Sequence, residues 1–292
     1  MMNLGPIGAC FRSEGLAAPE AADAARRLER FGYSALWLTD SLTRDPLVHA
    51  SWLLAATDAL ILATGIANIY LRTAVAVSGA QRALAEQSGG RFILGLGVSH
   101  PEMITGLLSQ TYERPLSAMT QYLDSLESAP YAGPAFSEEL PVVLAALGPK
   151  MLALAAKRSA GAFPVQVTPE YTARARAVLG PEPWLCIKQY VVLESNPVSA
   201  RNAARERLGR SLSYGNYRRN LASLGFRDDD FANGGSDRLV DGIIAIGNET
   251  AVRDRIAAHR AAGATHVCIE PIDVSDPRKT DFRALEALAP AG

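Results

Sequence analysis

Gly89-Gly90-Arg91-Phe92-Ile93-Leu94-Gly95-Leu96-Gly97-Val98-Ser99-His100-Pro101 is the stretch on which the fold turns. It follows residues of helical period, Ala74 to Gln87, and pivots on two glycines. It then runs Phe92 to Leu96 as a short apolar strand and leaves through glycine, serine and histidine to a proline. An apolar run of that length between a helix and a turn-rich loop reads as one βα unit of a parallel sheet buried on both faces.

The unit recurs on either side. Candidate strands are Leu4 to Phe11, Ala35 to Thr39, Leu60 to Ile66, Phe92 to Leu96, Val142 to Ala146, Ala162 to Val167, Trp184 to Leu193 and His266 to Pro271. Helical stretches lie between them, such as Ala18 to Phe31, Pro46 to Ala56, Leu116 to Ser128, Pro149 to Lys157 and Pro169 to Leu179. Several open on proline, whose missing N–H does no harm in a first turn, and the first stops at Phe31-Gly32. Eight strands without a strong linker favour a closed (β/α)8 TIM barrel over an open doubly wound sheet. The 292 residues fall in the range that one such barrel fills, so residues 1–292 are expected to form a single domain. Glu194 to Thr265, roughly 70 residues, is far too long for a plain connection and predicts a helical insertion between the seventh and eighth strands. One of its helices should start at Asn196-Pro197, another should span Asn216 to Gly225, and Ser236 should cap a third.

Composition narrows the function classes. Lysine plus arginine (29) nearly cancels aspartate plus glutamate (30), and no basic cluster is interleaved with aromatics, so nucleic acid is not an expected partner. No apolar stretch is long enough to span a bilayer and the start lacks a signal-peptide pattern, which points to the cytoplasm. Cys10, Cys186 and Cys268 are odd in number and scattered in apolar strands, with no Cys-x-x-Cys or histidine cluster. They read as small buried hydrophobes, with no metal and no disulfide framework expected.

In a (β/α)8 barrel the chemistry sits just after the strands. Those segments are Asp40-Ser41-Leu42-Thr43-Arg44-Asp45, Ala67-Asn68-Ile69-Tyr70-Leu71-Arg72, Gly97-Val98-Ser99-His100-Pro101, Leu147-Gly148-Pro149-Lys150 and Thr168-Pro169. Gly97 leaves room for backbone to approach a flat ring or a phosphate. Gly148-Pro149 opens a helix whose free N–H groups suit an anion. Of the four histidines, only His100 follows a strand at the functional end, with a pKa suited to proton transfer. Asp40 either orients a cofactor or caps a turn. Arg44 and Arg72 are candidate anion binders, and Lys188 is a weak Schiff-base candidate without an evident acid partner.

Taken in order, three stretches resemble the luciferase-like monooxygenase superfamily, in its coenzyme F420-dependent branch: Gly32 to Asp40, Thr64 to Arg72, and Gly90 to His100. Leu144 to Met151, Asn216 to Leu221 and Gly263 to Val267 extend the match along most of the chain. The resemblance implies an oxidoreductase that transfers a hydride between a deazaflavin and a small organic substrate. It also implies a strand-three bulge within Ile66 to Ile69, often carrying a cis non-proline peptide, that backs the ring. Asp40, Ala67, Asn68, Ile69, Tyr70, Gly97, Val98, Ser99 and Met103 would line the ring, and Leu147, Gly148, Pro149 and Lys150 would hold the phosphate-bearing tail. His100 would handle the proton, with Asp40 second. Ser41 stands where relatives acting on a sugar phosphate carry a histidine, which argues against that substrate. Two alternatives share the fold: an FMN-dependent monooxygenase using oxygen and a separate reductase, and a flavin-binding protein without catalysis. The family habit is a homodimer through helices near strands two and three, for which Val48 to Leu62 offers an apolar surface.

Overall fold

The parallel strands close on themselves. In the computed structural model, which describes residues 2–41, 44–112, 114–136 and 138–290, the chain forms β1 (Ile7–Cys10), β2 (Ala35–Leu38), β3 (Ile61–Thr64), β4 (Ala67–Asn68) and β5 (Phe92–Gly97). There follow β6 (Val142–Leu144), β7 (Gly161–Ala162), β8 (Trp184–Leu193), β9 (Ile244–Gly247) and β10 (His266–Pro271). Each pairs in parallel with its neighbour, and β10 pairs with both β1 and β8, setting Val267 opposite Ile7 and Cys268 opposite Lys188. That closure makes the fold a TIM barrel.

Two departures from the sequence reading raise the number of strands. The third strand is broken: β3 stops at Thr64, a cis peptide joins Gly65 to Ile66, and β4 resumes pairing against β5. The bulge therefore begins one residue ahead of the expected span. The extra strand β9 was not anticipated; it pairs with Tyr190–Leu193 of β8, where β7 has already peeled away.

Side-chain caps fix the helix starts. The carboxylate of Asp45 accepts from Leu47 and Val48 N–H, and Thr168, Asn196 and Ser236 cap the helices Pro169–Leu179, Pro197–Leu208 and Asp237–Ile243 in the same way. The lumen is packed solid. The Trp37 and Phe163 rings stack 4.2 Å apart, and Trp37 Nε1 donates to His266 Nε2 at 3.0 Å, among Cys10, Ala35, Ile61, Ala63, Ile93, Val143, Cys186 and Cys268. The insertion carries its own small core, in which Leu208, Leu221, Phe226 and Leu239 pack on Tyr190, Val192 and Ile244. Among the described residues no helix is long and apolar enough to cross a membrane.

Candidate active site

The bulge determines what surrounds the barrel mouth. A Cβ on Gly95 would sit 1.9 Å from the Thr64 carbonyl oxygen, and one on Gly97 would sit 2.3 Å from Ile66 Cδ1. Strand β5 is therefore glycine-rich because the bulge of the neighbouring strand leans on it. The space over Gly97 is filled by the Ile66 side chain.

Asp40 holds the bulge in place. Its Oδ2 accepts from Asn68 N–H at 2.9 Å and from Arg72 Nη1 at 2.7 Å, with the Asp40 side chain only 3% exposed. Arg72 also donates to Asp45 Oδ2 at 2.7 Å, while Arg44 is spent on the carbonyls of Ser13 and Leu16. Both oxygens and both arginines thus have structural partners, which suits Asp40 to positioning. Asn68 Oδ1 accepts from Tyr70 N–H, so Ala67, Asn68, Ile69 and Tyr70 form one hydrogen-bonded turn at the rim. Leu42 and Thr43, in the loop after β2, lie outside the described residues.

His100 is clamped by the insertion. Its Nδ1 lies 2.9 Å from Asn216 Oδ1, its ring stacks on Tyr214 with centroids 4.2 Å apart, and Tyr217 tilts against it at 5.1 Å. With Asn216 Oδ1 as acceptor, Nδ1 carries the proton and Nε2 keeps its lone pair. Burial holds the imidazole below its ordinary pKa despite the Asn216 bond, so it is neutral at pH 7. Val98 and Ser99 lead into it, Ser99 in a left-handed conformation and accepting weakly from Tyr112 Oη at 3.4 Å. Met103 lies on the short helix Pro101–Gly106 that follows.

Beside this loop lies a charged cluster, of which the sequence reading named Lys188 but neither Glu270 nor Arg207. Lys188 Nζ reaches Glu270 Oε2 at 2.5 Å, and Arg207 Nη2, from the insertion, reaches Glu270 Oε1 at 2.5 Å. Cys10 Sγ donates to Glu270 at 3.3 Å, Lys188 donates to Thr39 Oγ1 at 3.4 Å, and Arg207 Nη2 donates to the Tyr190 hydroxyl at 3.3 Å. Burial alone would raise the Glu270 carboxyl, yet Arg207 and Lys188 outweigh it and hold it well below the carboxylate range. Lys188, whose burial disfavours its ammonium, is held well above its ordinary value by Cys10 and Glu270. Its contact with Glu270 favours the ammonium form, which speaks against the Schiff-base reading, and it has the acid partner that reading lacked. The signal was in the sequence: Lys188 and Glu270 are single charges two residues beyond Cys186 and Cys268 in apolar strands, on the face that points into the lumen. Cys10, for its part, is a thiol donor as well as a buried hydrophobe.

Gly148, Pro149 and Lys150 are exposed at the start of the helix Pro149–Arg158, and a Cβ on Gly148 would meet nothing within 4 Å. Tyr171 Oη donates to the Leu147 carbonyl at 2.9 Å and anchors that loop from below. Gln166, also left-handed, donates to Ser211 Oγ at 2.6 Å, while its buried Oε1 has no partner among the described residues. No group of three or more His, Cys, Asp or Glu among the described residues could hold a metal ion.

Comparison with known proteins bears on this arrangement. The family model described as luciferase-like monooxygenase matches residues 7–266. Rv3520c of Mycobacterium tuberculosis, named as a coenzyme F420-dependent oxidoreductase, is 24% identical over 82% of this chain and 87% of its own length. An F420-dependent secondary alcohol dehydrogenase, solved with an F420-acetone adduct, superposes with a TM-score of 0.74 at 14% identity, covering 97% of this chain and 98% of the other. The FMN-bound oxygenating component of 3,6-diketocamphane monooxygenase from Pseudomonas putida superposes with a TM-score of 0.69 at 14% identity, over 97% and 96% of the two chains.

Proposed function

The chain belongs to the luciferase-like monooxygenase family, a family of enzymes, and on that premise we propose that it is a coenzyme F420-dependent oxidoreductase of a small organic substrate. The observation that carries this reading is the likeness to Rv3520c along 87% of that protein. The neutral, clamped His100 at the mouth supports it.

The residues present fit a deazaflavin. The unobstructed helix start at Gly148 to Lys150 offers free N–H groups and the positive end of a helix dipole to a phosphate-bearing tail. Ile66 and the Ala67 to Tyr70 turn provide an apolar wall for a ring, stiffened by Asp40 and Arg72. The unpaired Gln166 Oε1 is a buried acceptor at the same end of the barrel, ready for a ring N–H. When bound, a deazaflavin supplies a ring carbon that takes or gives a hydride. His100 then handles the one remaining proton: as a substrate hydroxyl becomes a carbonyl, Nε2 accepts the hydroxyl hydrogen, and in the reverse direction it returns it. Asn216 holds the imidazole in the tautomer that this requires, and Tyr214 and Tyr217 exclude water from its faces. Use of FMN with oxygen is the second reading, favoured by the likeness to the FMN-bound monooxygenase. A non-catalytic role accords poorly with a mouth that assembles His100, Lys188, Glu270 and Arg207. The exposed Val48, Trp52 and Val75, on adjacent helices after β2 and β4, are the surface on which a homodimer would form.

The test is His100→Ala and His100→Gln, assayed by the deazaflavin absorbance change with a panel of secondary alcohols and carbonyl compounds. Hydride transfer should fall by ~10²- to 10⁴-fold while F420 binding is unchanged. In the wild type, oxidation should slow only as the pH falls through the lowered His100 pKa, below the ordinary histidine value of about 6.5. Unchanged turnover in both variants would remove His100 from the reaction.

A further inference from the structure

The cluster beside His100 is one negative charge short. Lys188 and Arg207 share a single carboxylate, Glu270, and among the described residues no second carboxylate pairs with either cation. Lys188 and Glu270 have side chains 6% and 2% exposed, and Arg207 is 21% exposed. Either cation alone would neutralise Glu270, and desolvating a second one without a counter-charge is costly. Both cations also lie over the Tyr190 ring, Arg207 at 4.7 Å and Lys188 at 5.5 Å from its centroid, but that ring brings no negative charge.

The free edge is also defined. Arg207 turns Nε and Nη2 onto Glu270 and gives Nη2 to the Tyr190 hydroxyl, while Nη1 has no acceptor among the described residues. The Tyr190 hydroxyl accepts from Arg207 and so keeps its own hydrogen to donate. Tyr217 relates the site to the proton-handling residue: its ring tilts on His100 at 5.1 Å, and its phenol feels the charges of Lys188 and Arg207.

We propose that the barrel mouth takes its substrate as a monoanion, with a carboxylate seated on Arg207 Nη1 and the Tyr190 hydroxyl. This rests on the reading of the mouth as the reaction site. A carboxylate brings the one charge that is missing, with one oxygen for Nη1 and the other for the Tyr190 hydroxyl. A phosphate ester, at about −1.5 to −2 near pH 7, would overshoot and crowd Glu270 with like charge. The substrate class is therefore a small hydroxy or oxo carboxylic acid, whose reacting carbon lies toward His100.

The experiment compares lactate with lactamide, which differ in charge and little in shape, and adds inorganic phosphate as a third probe. Binding is measured by calorimetry on the full-length protein with and without F420, and F420 affinity is measured on the same preparations. Lactate should bind at least tenfold more tightly than lactamide and more tightly than phosphate. Arg207→Gln should abolish the preference and Arg207→Lys should weaken it, with F420 affinity intact in both. The proposal is overturned if lactate does not bind at millimolar concentration, if the amide binds equally well, if phosphate binds best, or if the preference survives in Arg207→Gln. Should that variant not fold, the wild-type comparison and Arg207→Lys decide alone. Lactate preference without F420 binding would sink only the cofactor reading; F420 binding without lactate preference would sink only this one.

Discussion

Replacing Gly97 by alanine tests whether the bulge, and not a bound ring, dictates the glycines of β5. The new Cβ would lie 2.3 Å from Ile66 Cδ1, 2.7 Å from Ile66 Cγ1 and 3.2 Å from Ala145 Cβ. Ordinary contact begins near 3.4 Å, so Ile66 must retreat by about 1 Å within a close-packed wall. Overpacking of this kind costs ~1 to 3 kcal/mol. Ile66→Ala removes both offending atoms and leaves only the mild Ala145 contact, so Gly97→Ala should cost far less in that background. The two substitutions should therefore be coupled by ~1 to 2 kcal/mol of relief in a double-mutant cycle of urea unfolding. Gly95→Ala is the contrasting case: it meets the Thr64 carbonyl at 1.9 Å, a backbone atom that no side-chain change can move, and it should prevent folding in both backgrounds. Additive effects of Gly97→Ala and Ile66→Ala would refute the packing argument.

Asp40→Asn should leave the Asn68 hydrogen bond possible but halve the compensation of Arg72, which keeps only the more exposed Asp45. Breaking a buried pair costs ~3 to 5 kcal/mol, and with Asp45 remaining the loss should fall near the lower end, read as a drop in Tm of several degrees; an unchanged Tm would argue against the positioning role. His259 and His266 should make the protein acid-sensitive well above the carboxylate range. Both are fully buried, and burial lowers each pKa to about 4. His259 is satisfied by Thr172 and Gln189, and His266 by Trp37 and Gly5. The unfolded chain takes up these protons near pH 6.5 and the folded one only near pH 4, so the stability they confer is complete above 6.5 and is lost as the pH falls. At pH 5 each should have cost ~2 kcal/mol, and urea midpoints that stay flat from pH 7.5 to 5 would contradict this.

The barrel was legible because its staves are short apolar runs separated by helix-length periods, a pattern that survives any uncertainty in register. The insertion was legible from its length and its caps, Asn196 and Ser236. Strand β9 was not, since Ile244 follows directly on the helix Asp237–Ile243 with no turn residue between them. At the site, His100 stands out by position alone, but its partner Asn216 lies 116 residues away and no local pattern links them. Gly97 illustrates the limit more sharply. The sequence marks an absent side chain, while only the cis-linked bulge shows that Ile66 takes the space. Asp40 is similar: a carboxylate after a strand carries several meanings, and the choice is made by Arg72, 32 residues on, once the bulge has brought it near. Lys188 and Glu270 were visible as lone charges in apolar strands, yet their pairing depends on barrel closure between β8 and β10.

The measurement that reaches the central claim most directly is a fluorescence titration of the full-length protein with oxidised F420 and with FMN in the same buffer. Micromolar or tighter binding of F420, with FMN weaker by at least tenfold, is the predicted result. Preference for FMN would move the chain to the oxygen-using branch of the family, and binding of neither would contradict the cofactor site at Ile66 to Tyr70 and Gly148 to Lys150.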